Sequence, residues 1–203
     1  MHIHYFTCVI LFVHLYGQVI HPSMAPIPSI VASSCMARLY QEIDDRDEIN
    51  YLTPVHNWSL MVACIPQIHR TILLPDEHAL CSTELDTFVT ALRCMRLKWP
   101  PANNILTTID RLRTGKPHPR AHTPAERQQK LSPLPTLYEF PTPVLTSLFP
   151  FPKDMCPRMV LVNPDAGESS TGMENTMTPA AEDCMDWIFD EFNLGLLNMP
   201  FVG

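Results

Sequence analysis

Apolar residues recur at helical spacing through the first 115 positions. In the opening run, Ile3, Phe6, Ile10, Val13 and Tyr16 fall on one side of a helix, with Cys8, Leu11 and Leu15 on its flank. A run apolar nearly all round predicts a helix buried in protein. Residues 17–28 contain Pro22, Pro26 and Pro28 and predict a loop. Ser29 is the expected N-cap of a second helix. Val31, Cys35, Leu39 and Ile43 give that helix its face, with Met36 and Tyr40 alongside. It leads into an acidic run, Glu42 to Glu48, expected at the surface. A third helix is predicted over 55–74, with Met61, Ile65, Ile68 and Ile72 as its stripe and Trp58 near its start. Pro66 lies inside it and lacks the N–H for the ladder, so a kink or a split is expected. The fourth helix has the clearest periodicity, in Leu85, Phe88, Val89, Leu92, Met95 and Trp99, with Ser82 or Thr83 as cap. Pro100 and Pro101 end it, and Pro101 suits the first turn of a fifth helix. Ile105, Leu106, Ile109 and Leu112 form the face of that helix, and Gly115 stops it. No useful length alternates with period two, so an all-α domain of about five helices is predicted over residues 1–115.

Beyond residue 115 the pattern is lost. Residues 116–130 are basic, proline-rich and poor in apolar side chains, which predicts a flexible linker. Residues 131–164 mix prolines with Tyr138, Phe140, Phe149 and Phe151, and an extended segment laid over the helical body is expected. Residues 165–178 are low in hydrophobicity and predict disorder, so 116–178 is read as one proline-rich, mostly disordered linker.

Composition sharpens three points. The 203 residues suffice for one domain of ordinary size, and 21 Pro against 6 Gly is lopsided. A net charge of −7 argues against direct contact with nucleic acid through phosphates. The 7 Cys are scattered and form no C-x-x-C pair, which argues against a disulfide framework and a structural zinc site, and for mostly buried, reduced thiols. No glycine-rich phosphate loop, G-x-S-x-G or H-E-x-x-H occurs, and no catalytic residue or enzyme activity is expected. His2 and His4 read as ordinary, partly buried histidines. His118 and His122 are four apart, but Pro117 and Pro119 disfavour the helix that would pair them on a metal. Asp44, Asp45, Asp47 and Glu48 lack an apolar pocket that would split their pKa values, and read as surface. No cofactor is expected in this chain.

Residues 179–203 carry the one mechanism legible from physics. Acidic residues alternate with Trp187, Ile188, Phe189, Phe192, Leu194, Leu196 and Leu197, and no Lys or Arg follows Arg158. The acids keep such a segment solvated, and the aromatics remain available to dock as a helix in a partner's hydrophobic groove. Ile188 and Phe192, with Trp187 and Phe189, are the expected anchors of an acidic–hydrophobic activation segment. The same spacing equally suits a final amphipathic helix packed on the body.

The order of these features resembles the carboxy-terminal half of the fungal-specific regulatory domain of zinc binuclear cluster transcription factors. The residues that carry the resemblance are the apolar helix from His2 to Leu15, the small-residue run around Cys35, the loop proline Pro54, and Leu92 to Ala102 with its Trp99. It covers about half the chain and rests on degenerate apolar patterns in a particular order. It implies an all-α partial regulatory domain and a nuclear transcription regulator, with a coactivator or other protein as partner and no membrane association. The family's six-cysteine cluster is absent, so its zinc and DNA binding have no residues to sit on; zinc is implied only for the missing amino-terminal cluster. Val13 to Tyr16 stands where the family has arginine–proline.

The opening run admits a second reading, a cleaved secretory signal on a small protein of unknown role. It lacks the cationic n-region, because no Lys or Arg precedes Arg38, and Pro26 directly follows the best small-residue cleavage site. It is also shorter than a membrane span of roughly 20 apolar residues. Burial is therefore expected, and with it a chain that is the downstream part of a longer protein.

Overall fold

The computed structural model describes residues 1–20, 26–73, 78–114 and 142–162. Five long helices make up the body: α1 (His2–Ile20), α2 (Pro26–Asp45), α3 (Val55–Leu73), α4 (His78–Met95) and α5 (Ala102–Arg113). A short 3-10 turn, Ile49–Tyr51, links α2 to α3. A seven-residue helix, α6 (Thr142–Leu148), and a 3-10 turn, Pro157–Leu161, complete the described chain. The fold is all-α, and no strand occurs among the described residues.

The helix at the centre is α3. Every residue from 59 to 69 is buried, Pro66 among them, and α3 touches α1, α2, α4 and α5. Pro66 does not split it: α3 is one continuous helix from Val55 to Leu73. An interior proline costs a helix about 3 kcal/mol. Here the side chains of Leu60, Met61, Val62, Ala63, Cys64 and Ile65, each at most 2% exposed, supply packing that outweighs that cost.

Helix α1, expected to be buried on all sides, is peripheral. Ile3, Phe6, Val9, Ile10 and Val13 enter the core, whereas Tyr5, Cys8 and Phe12 face outward. Its polar residues Thr7 and His14 are buried; the Thr7 hydroxyl donates to the Ile3 carbonyl at 2.8 Å. His2 and His4, expected to be partly buried, are exposed. They stack edgewise on Phe151 and against His56 respectively.

Several boundaries differ from the sequence expectation. Helix α1 runs to Ile20 and α2 starts at Pro26, so the expected loop over 17–28 is shorter and Ser29 lies inside a helix. Ser29 is buried rather than capping. Helix α4 starts at His78, which puts Ser82 and Thr83 in its interior; the Thr83 hydroxyl bonds back to the Ala79 carbonyl at 3.0 Å. Helix α4 closes at Met95, and Pro101 is the N-cap of α5, within a residue of its expected place. The acidic run is solvated as expected, and Asp44, Asp45, Asp47 and Glu48 are exposed.

The largest departure concerns residues 142–162, which composition assigned to an extended part of the linker. They form α6 and a 3-10 turn and join the core through Leu145, Phe149, Cys156, Met159 and Val162. Phe149 stacks on Phe6, and Phe151 tilts against the same ring at 5.1 Å between centroids. The Tyr5 hydroxyl donates to the Leu148 carbonyl at 2.5 Å. This strap was expected to lie over the body, and it does; it is neither extended nor part of a disordered linker. His118 and His122 and the segment 179–203 lie outside the described residues. No helix among the described residues is long and apolar enough to cross a membrane.

Candidate functional site: a buried polar and thiol cluster

Three helices and the strap converge on one polar cluster inside the core. Helix α2 brings Ser33, Ser34 and Cys35, α3 brings Gln67, and α4 brings Cys81 and Glu84. The strap brings Cys156 and Arg158, at the start of its 3-10 turn. Helices α2 and α3 run antiparallel, since Ser33 meets Ala63 and Tyr40 meets His56. That arrangement places the small-residue run of α2 opposite Gln67.

Glu84 is the hub. One carboxylate oxygen accepts the Ser34 hydroxyl; the other accepts Gln67 Nε2 at 2.6 Å and Arg158 Nε at 3.4 Å. Gln67 Nε2 also donates to Ser33 Oγ at 3.0 Å, and Ser33 Oγ donates to the Ala63 carbonyl at 2.7 Å. Arg158 Nη2 lies 3.0 Å from Cys81 Sγ. The Arg158 and Glu84 side chains are 4% and 7% exposed. A carboxylate and a guanidinium buried this deeply require each other, because an unpaired charge in a core costs several kcal/mol. The network therefore clamps the strap to α4 and, through Ser34 and Gln67, to α2 and α3.

Beside it, Cys35 Sγ donates to Cys156 Sγ across 3.5 Å, and Cys156 Sγ lies 4.0 Å from the Val31 carbonyl. The Cys35 hydrogen bond, assisted by Ser34 and the Arg158 backbone, holds the Cys156 thiol below the ordinary cysteine range, against burial and the Glu84 charge. Cys35, as the donor and buried, is pushed up. Among the described residues no group of three His, Cys, Asp or Glu is arranged to hold a metal ion.

Of the residues singled out in sequence, Trp99 joins the loop that precedes α3. Trp99 Nε1 donates to the Leu52 carbonyl at 3.1 Å, two residues before Pro54. Ala102, three residues after Trp99, is fully buried at the start of α5, while Pro54 is exposed. Cys35 sits elsewhere, in the thiol pair. Trp187, Ile188, Phe189, Phe192, Leu194, Leu196 and Leu197 lie outside the described residues. Sequence reading missed Glu84, Gln67 and Arg158. Glu84 had one local signal, a charge directly beside Leu85 on the apolar face of α4; Arg158 had none, because its partner is 74 positions away.

No family model, curated protein or solved structure matches the chain.

Proposed function

We propose that this chain is a regulatory and activating portion of a nuclear transcription regulator, working through contacts with a coactivator or other protein and not through chemistry of its own. The observation that carries the reading is the junction at Trp99. Two stretches that give the resemblance to the zinc-cluster regulatory domain, Leu52 to Pro54 and Leu92 to Ala102, are joined there by the indole hydrogen bond to Leu52. The all-α body agrees with what the resemblance implies. In this reading the strap, clamped by Arg158 and Glu84, is a fixed base from which residues 163–203 continue. The aromatics at 187–192 then enter a hydrophobic groove of the partner, and their acidic neighbours keep the free segment in water.

The test fuses the full chain to a foreign DNA-binding module and reads a reporter gene. Reporter output is expected above that of the module alone. W187A/F192A lowers it about tenfold or more, since a buried aromatic anchor contributes about 2 kcal/mol or more to such an interface. Output at background with the full chain, or output indifferent to these substitutions, overturns the proposal.

A further inference from the structure

The contact between Cys35 and Cys156 brings together two residues 121 positions apart, one in α2 and one in the strap. Both are free thiols in this structure, exposed 0% and 4%. Their sulfur atoms are 3.5 Å apart, and a disulfide bond is about 2.05 Å long. Closing that gap brings the two sulfurs together by about an ångström and a half. The other described cysteines differ: Cys8 is exposed on α1, Cys64 is buried in α3, Cys94 is half-buried, and Cys81 sits beside the Arg158 guanidinium.

We propose that Cys35 and Cys156 form a thiol–disulfide site that takes a low-molecular-weight disulfide as its oxidant and, once oxidised, locks the strap onto α2. The exchange has two steps. Cys156, as thiolate, attacks one sulfur of the small disulfide R–S–S–R; that bond breaks, R–S⁻ leaves and takes up the proton Cys156 gave to solvent. Cys35 then loses its proton and attacks Cys156 Sγ, the mixed disulfide breaks, and the second R–S⁻ leaves as R–SH. The protein loses two electrons and two protons, and one R–S–S–R becomes two R–SH. The order follows from the hydrogen bond between the thiols: Cys35 donates and Cys156 accepts, so negative charge is stabilised on Cys156. The burial of both sulfurs means that the oxidant enters when the strap lifts from the body, an opening of the kind that peripheral segments undergo below the global unfolding free energy. The site stands independently of the transcriptional reading.

The experiment uses the reduced full-length protein and oxidised glutathione at neutral pH, followed by alkylation, digestion and mass spectrometry under non-reducing conditions. The expected product is a peptide pair joined through Cys35 and Cys156, lighter than the two reduced peptides by two hydrogens, with glutathione retained at neither. The melting midpoint of that product rises by roughly 5–10 °C, because a long loop of the unfolded chain is closed, and falls back on reduction. C35S removes the second thiol, so Cys156 retains glutathione as a stable mixed disulfide. The proposal is overturned if both cysteines are recovered as free thiols after Cys8 has fully reacted. It is also overturned if wild-type Cys156 keeps glutathione or joins another cysteine. The wild-type peptide map decides the question even if C35S fails to fold.

Discussion

Replacing Arg158 with Met tests whether the buried cluster holds the strap to the body. Met keeps much of the apolar stem and removes the guanidinium. Glu84, 7% exposed, is then an anion with two neutral donors left, the Ser34 hydroxyl and Gln67 Nε2. Breaking a buried ion pair from one side costs about 3–5 kcal/mol. The two surviving hydrogen bonds still solvate the carboxylate, each to the extent of about 1 kcal/mol, so the expected loss lies near the lower end, about 3 kcal/mol. E84L is expected to be similarly damaging, because it removes the carboxylate that balances the buried guanidinium charge. The double variant E84L/R158M removes both charges together, and its loss should be smaller than the sum of the single losses by about 2 kcal/mol or more. Urea titrations followed by circular dichroism, extrapolated linearly to water, give the three values. Hydrogen exchange should show faster exchange at 142–162 in R158M, with α3 changed less. An R158M protein within about 1 kcal/mol of wild type, or single effects that add within about 0.5 kcal/mol, would refute the reasoning.

Two further predictions concern the other polar contacts. Burial, with His4 and the amino terminus nearby, holds the His56 imidazole below the ordinary histidine range, and His56 Nδ1 meets the Tyr40 hydroxyl at 3.1 Å. The unfolded chain therefore binds this proton first, so stability should fall as pH drops below about 6.5 and level off below the lowered folded value. H56Q should flatten that slope in urea titrations across the range, and an unchanged slope counts against the assignment. At the Trp99 junction, W99F removes the indole N–H and leaves the Leu52 carbonyl without that donor, an expected loss of about 1 kcal/mol by thermal or urea unfolding. A substitution without effect would mean the hydrogen bond contributes nothing to the junction.

The sequence by itself determined the five long helices and most of their buried faces. Phe6, Ile10 and Val13, Met61, Ile65 and Ile68, and Leu85, Phe88, Val89, Leu92 and Met95 are buried as their spacing required, because a stripe of period 3.6 has to find an apolar neighbour wherever the helix goes. Helix ends were less legible: Ser29 and Thr83 look like caps, yet both lie within helices whose packing outweighs local capping preference. Only the tertiary structure decided which helix is central. Helices α1 and α3 are both apolar, and it is α3, despite Pro66, that four neighbours surround, whereas α1 has one side uncovered by described residues. Likewise, nothing local to residues 142–162 distinguishes a proline-rich linker from a strap. Its place depends on Phe149 finding Phe6, Cys156 finding Cys35 and Arg158 finding Glu84. Those partners are distant in sequence, and burial of a charge or a thiol beside its partner is a property of the folded core that no local spacing encodes.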